Sequence, residues 1–167
     1  MSRHAWSGLL IVSAVLVSWP AMMAVHESGH VLHAWISGGR VERVVLHPLA
    51  ISRTDVNPNP HPHFVAWGGA VWGCLLPAAL WGVVELARLR VARLFRFFAG
   101  FCLIANGAYL GSGVVYAVGD AADLLRLGTP RWVLGTFGLA ALATGLFVWH
   151  GLGPAFRPRT GRVPEGT

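Results

Sequence analysis

Long apolar runs separated by short polar breaks organise the chain. Four stand out, at residues 6–37, 64–86, 95–118 and 132–149. Each reaches the roughly 17–20 residues a helix needs to cross a bilayer. None shows the strict alternation of a half-buried strand, so each is predicted to be a membrane-spanning helix. The first run is too long for a plain span, since 32 residues of helix rise about 48 Å. Pro20 is expected to kink it or divide it, and Gly38-Gly39 to end it.

The breaks carry their own signals. Val41, Val44, Val45 and Leu46 favour a strand, 51–56 could form a second, and Pro48 lies between them, so a small hairpin at the membrane surface is expected. Asn57-Pro58-Asn59-Pro60-His61-Pro62-His63 then imposes an extended, non-helical path. The third run permits two continuations. Its helix can extend through Asp120 to Leu127, with Gly128 as C-cap and Pro130 as stop. Alternatively Gly119 breaks it and Asp120 caps a new short helix with Asp123 at N3. From Gly151 the chain is rich in Pro, Gly and Arg. The expected fold is an all-α membrane protein of about four transmembrane helices with a small β-hairpin after the first. Residues 1–150 are expected to form one integral membrane domain, and 151–167 a flexible tail.

Composition agrees with a place in lipid. The chain of 167 residues is 54% hydrophobic and 12% charged, whereas soluble domains carry about 25% charged residues. Its formal charge of +6 comes from 13 arginines and no lysine. They sit between the apolar runs and in the tail, which suits interfacial anchoring and argues against nucleic-acid binding. With four spans, eight arginines fall on the side of the termini and five on the other, so the termini are expected in the cytoplasm. Cys74 and Cys102 lie apart within apolar runs and read as small buried hydrophobes. The N-terminal apolar run leads straight into a histidine cluster without a small-residue cleavage site, and reads as a span rather than a signal peptide.

That cluster, AVHESGHVLHAW, contains His26-Glu27-Ser28-Gly29-His30, an H-E-x-x-H pattern. On a helix, positions i and i+4 share a face. Two imidazoles so placed can bind one Zn²⁺, with Glu27 beside them to take a proton from water. Ionisable groups inside a span cost about 2.5–3.5 kcal/mol each on insertion scales, so three within five residues demand a partner or an ion. His33 extends the row but lies too far along the axis for one straight helix to wrap it round the same metal. A third ligand is therefore expected from elsewhere. His30 precedes Gly38 by eight residues and Asp120 precedes Gly128 by eight. If the third helix runs through, the two lie at equal depth, which makes Asp120 the expected ligand. Asp123, His61 and His63 are the rivals. Asn106, Gly113 and Asp120 recur every seven residues, as do Tyr109, Tyr116 and Asp123. Asn106, His33 and Asp123 are thus candidates for contact with substrate or with the ligands, and the tyrosines read as packing. Gly69-x-x-x-Gly73 allows close helix approach.

The HESGH helix, the following Gly-Gly turn with its hairpin, and Gly69-x-x-x-Gly73 on the next helix together resemble the site-2 protease family of intramembrane zinc metallopeptidases. The resemblance covers about residues 6–127. It implies a three-helix core, a Zn²⁺ held by His26, His30 and an aspartate matching Asp120, and Glu27 as general base. It also implies hydrolysis of membrane-embedded or membrane-adjacent peptides in regulated intramembrane proteolysis, from a multi-pass position expected in a bacterial cytoplasmic membrane. The chain departs from the family pattern in having Gly119-Asp120-Ala121, no proline between Asn106 and Asp120, and no room for a PDZ domain. Two other classes stay open. One is a membrane cytochrome, with haem between His26, His30 or His33 and His150. The other is a metal-binding but inactive scaffold.

Overall fold

The computed structural model describes residues 3–47 and 49–153; Pro48 and the segment 154–167, with most of the expected tail, lie outside the described residues. The elements in chain order are α1 (Arg3–Ile36), β1 (Val41–Val45), β2 (Arg53–Val56), α2 (Pro62–Leu86), α3 (Ala92–Ser112), α4 (Gly119–Arg126) and α5 (Arg131–Trp149). Helices α1, α2, α3 and α5 are long and apolar enough to cross a membrane. The fold is therefore the expected one, helical throughout apart from a two-stranded sheet after the first helix.

The bundle follows from where bulk and smallness sit. Leu16, Val17, Val83, Leu139 and Phe147 point outward, as lipid-facing residues do, while glycines mark the crossings. Gly29 of α1 lies against Gly68 of α2, where a Cβ on Gly68 would come 2.7 Å from the Gly29 carbonyl oxygen. A Cβ on Gly107 of α3 would come 2.8 Å from the Leu142 nitrogen of α5. Such small-residue contacts let backbones approach closely, which in lipid replaces the hydrophobic drive available in water. In sequence of packing, α1 lies on α2, α2 on α3, and α3 on α5.

Three expectations about helix boundaries change. Pro20 does not divide α1, which is one helix of 34 residues. Helix α2 begins at Pro62, inside the stretch expected to be non-helical; proline suits the first turn, where its missing N–H has no helical partner to lose. The third helix does not reach Val118 or Leu127 but ends at Ser112. Gly113 is the reason: the chain doubles back so tightly that a Cβ there would collide with Ala121 of α4. Arg131 donates to the freed Val114 carbonyl at 2.6 Å.

Helix α4 is a separate amphipathic unit. It starts after an extended Val118, so Asp120 is not the cap and makes no capping bond. Gly119 adopts φ +53°, a conformation glycine takes without penalty. Ala121 and Leu124 bury themselves among Ala66 and Ala70 of α2, Leu110 of α3 and Leu134 of α5. This core fixes the helix, and with it Asp120, over the bundle.

The hairpin is antiparallel, with Val41 opposite Val56, Arg43 opposite Asp55, Val44 opposite Thr54 and Val45 opposite Arg53, and an irregularity between Val41 and Arg43. Its second strand starts at Arg53 rather than at 51. Asp55 joins Arg43 at 2.8 Å and Arg53 at 3.1 Å on the outer face. The Arg43 guanidinium holds the Asp55 carboxyl below its ordinary value.

Candidate metal centre

His26 and His30 face α2 and α4 from the buried half of α1. Nε2 of His26 lies 2.8 Å from Oδ2 of Asp120, Nε2 of His30 lies 3.3 Å from the same oxygen, and the two Nε2 atoms are 3.2 Å apart. Among the described residues this is the one group of three histidine, cysteine or acidic side chains whose ligand atoms converge. Four donors at zinc distances of about 2.0–2.1 Å around a tetrahedral centre sit about 3.3–3.4 Å from one another. The observed triangle is close to one face of that tetrahedron, with only the His26–Asp120 edge short.

The chemistry of the donor set points the same way. Nδ1 of His30 donates to the Val65 carbonyl at 2.8 Å. Asn106 donates its amide N–H to the Cys102 carbonyl at 2.8 Å, which turns its Oδ1 toward His26 Nδ1 at 2.6 Å. Both Nδ1 atoms therefore carry hydrogen, so in the neutral rings each Nε2 offers its lone pair to the centre, the tautomer a metal ligand requires. With the rings neutral, two imidazole lone pairs and a carboxylate oxygen meet at one point, an arrangement that a cation satisfies.

Helix α2 makes room for the pair. A Cβ on Gly69 would collide with Nε2 of both histidines, and one on Gly73 would come 2.7 Å from the Asn106 amide. The G-x-x-x-G pattern, expected to serve close packing, here abuts the His26, His30 and Asn106 side chains. Tyr109, expected to be packing, accepts the Asp120 backbone N–H at 3.0 Å and sets its ring edge-on to His26.

Glu27 is 2% exposed, and its Oε2 accepts a hydrogen bond from the Thr54 hydroxyl of β2 at 2.7 Å. Two cavities flank these residues. One, of about 660 Å³, is bordered by Met22, Met23, Leu49 and Ala105 and reaches His26, Glu27 and Asn106. The other, of about 790 Å³, is bordered by Thr54, Asp55, Asn59 and Asp123 and reaches His30 and Asp120. Ile51, Ser52 and Tyr109 border both. Cys74 and Cys102 are buried free thiols, as expected.

The remaining candidates lie elsewhere. His33 donates to the Gly29 carbonyl at 2.8 Å and tilts onto Phe64, so it turns toward α2 and away from the donors. Asp123 faces the second cavity but pairs with Arg126. His63 bonds Thr129 at 2.8 Å, His61 is the exposed N-cap of α2, and His150 follows the last residue of α5, with its carbonyl taken by Arg96. Thr54 and the Val65 carbonyl come from a strand and a backbone, and no local spacing announces them, whereas the seven-residue recurrence marks Tyr109 but reads it only as packing. No protein-family model matches the chain, and no curated protein or solved structure does so significantly.

Proposed function

We propose that the chain is an intramembrane zinc metallopeptidase, similar to the site-2 protease family, that hydrolyses peptide bonds of membrane-embedded or membrane-adjacent substrates. The observation that carries this reading is the convergence of His26 Nε2, His30 Nε2 and Asp120 Oδ2 within 2.8–3.3 Å, with both histidines held in the metal-binding tautomer. Three protein ligands leave one tetrahedral position open, the pattern of catalytic rather than structural zinc. Bound there, the ion supplies Lewis acidity, lowering the pKa of water and polarising a carbonyl.

The chain's own residues supply the rest. Glu27 follows a ligand in sequence and borders the apolar cavity, so its carboxylate is the base that takes a proton from the attacking water and returns it to the leaving amine. Asn106 and the Val65 carbonyl keep the imidazoles oriented. The apolar cavity suits a peptide arriving from lipid, and the polar cavity gives water a route to the donors. The sheet has only two strands, so each keeps one edge with which an extended, unwound substrate can pair. A multi-pass position in a bacterial cytoplasmic membrane belongs to the same reading.

The test is reconstitution of the full chain in lipid with zinc and a membrane-anchored reporter peptide. Wild type should cleave it. Glu27→Gln, which keeps size but loses the proton acceptor, should retain the metal and lose about 10²–10⁴-fold in rate. Equal cleavage by the two refutes the mechanism. A Soret band in the purified protein would instead favour haem, and zinc binding without cleavage an inactive scaffold.

A further inference from the structure

Glu27 is a carboxylate inside a membrane-spanning helix, yet the only hydrogen bond its carboxylate makes among the described residues comes from outside that helix, from the Thr54 hydroxyl of β2 at 2.7 Å. Two facts make this contact a built one. Strand β2 alternates its faces: Asp55 pairs with Arg43 and Arg53 on the exposed side, while Thr54 reaches α1 and Val56 packs beside Gly39, whose Cβ would come within 3.1 Å of it. The register is also pinned, with Thr54 opposite Val44 and Asp55 opposite Arg43, so a slip of one residue would turn Thr54 away from α1.

Thr54 has one hydroxyl hydrogen. The Glu27 backbone carbonyl is at 3.5 Å and Oε2 is much nearer, so the hydrogen goes to the carboxylate. The bond passes between the two cavities, for Glu27 borders the apolar one and Thr54 the polar one. Glutamate has three rotatable side-chain bonds, and fixing Oε2 fixes where Oε1 points.

We infer that Thr54 is a positioning residue for Glu27, and that the hairpin holds the base in its working orientation. This rests on the peptidase reading for its catalytic part, and on the geometry alone for the contact itself. The hydroxyl donates one hydrogen bond to one oxygen and leaves the other oxygen of the carboxylate to accept the proton of water. Lifting the hairpin would release the base without touching the metal donors.

Two measurements on the full-length protein in nanodiscs test it. The first needs no turnover: amide hydrogen exchange over residues 41–56 in Thr54→Val, Glu27→Ala and the double variant. Each single variant should exchange about tenfold faster than wild type, and the double variant no faster than either. Wild-type exchange in the single variants, or additive effects, overturns the contact. The second is kinetic: Thr54→Val should lower kcat about tenfold with KM and zinc content unchanged, and Thr54→Ser, which keeps the hydroxyl, should restore it. Wild-type kcat in Thr54→Val, or failure of Thr54→Ser to restore it, overturns the positioning role. Failure of wild type to cleave at all refutes the peptidase reading and the catalytic part of this inference with it, while the exchange cycle still decides whether the hairpin is fastened to Glu27.

Discussion

Gly69 of α2 stands against His30 of α1 with no space for a side chain between them, and a Cβ there would strike Nε2 of both His26 and His30. A methyl group at this point must displace the imidazoles or part the helices. Overpacking of this kind costs about 1–3 kcal/mol, and here it falls on the donor atoms. Gly69→Ala should therefore weaken zinc binding about 10–100-fold. Gly82→Ala, on the same helix with nothing within 4 Å of its Cβ position, should leave it unchanged. Chelator competition measures both, and equal affinities would separate Gly69 from the centre.

The donor set predicts about one zinc per chain by elemental analysis. His26→Ala and Asp120→Ala should each lose it at micromolar free zinc, since two donors leave the ion half-coordinated. Asp123→Ala and His33→Ala should bind within about threefold of wild type, because Asp123 is committed to Arg126 and His33 to the Gly29 carbonyl. Undiminished zinc in Asp120→Ala would remove that residue from the set.

Asn106, 1% exposed, orients His26 without reaching the centre itself. Removing such an orienting partner commonly costs about 10–100-fold in metal affinity. Asn106→Leu should show that loss, for it leaves the His26 Nδ1–H buried without an acceptor. Asn106→Asp keeps the acceptor and should hold zinc near the wild-type level. A zinc titration in which the two behave alike would contradict the tautomer argument.

The hairpin should respond to acid at a defined point. Arg43 holds Asp55 below its ordinary value of 3.8. A carboxyl whose folded pKa is depressed contributes stability above its unfolded value and loses it as pH falls through the folded one. Hydrogen exchange over 41–56, corrected for intrinsic pH dependence, should stay constant from neutrality to about pH 4 and rise below it. Asp55→Asn should exchange faster at neutrality and lack the acid step.

Much of this was legible because it is local. H-E-x-x-H places His26, Glu27 and His30 by helical spacing alone, and the four apolar runs declare their spans by length. Asp120 was reached through a premise only half right. Equal depth was inferred from a continuous third helix, whereas α3 stops at Ser112 and Asp120 arrives on α4, which Ala121 and Leu124 press back onto the bundle. Asp120 meets His26 and His30 because α4 folds against the end of α3 rather than beyond it. Thr54 and the Val65 carbonyl are hidden in the sequence, since a hydroxyl on a strand and a carbonyl on a helix gain their roles only when distant elements meet, and Tyr109 is visible there only as packing. Gly69 was visible as a small residue, but what it makes room for was not.

His26 and Asp120 are 94 positions apart in the chain, and that distance is also an interval in time. Synthesis proceeds from the N-terminus at about 5–20 residues per second, so the histidines of α1 exist for roughly 5–20 s before the ribosome adds the aspartate that completes them. During that interval α1 and α2 can already pack at Gly29 and Gly68, but the nascent chain holds at most a two-donor site. A site assembled in this order lacks Asp120 when its two histidines are first made. His26 and His30 meet that carboxylate only after α3 is made and α4 has docked onto the bundle.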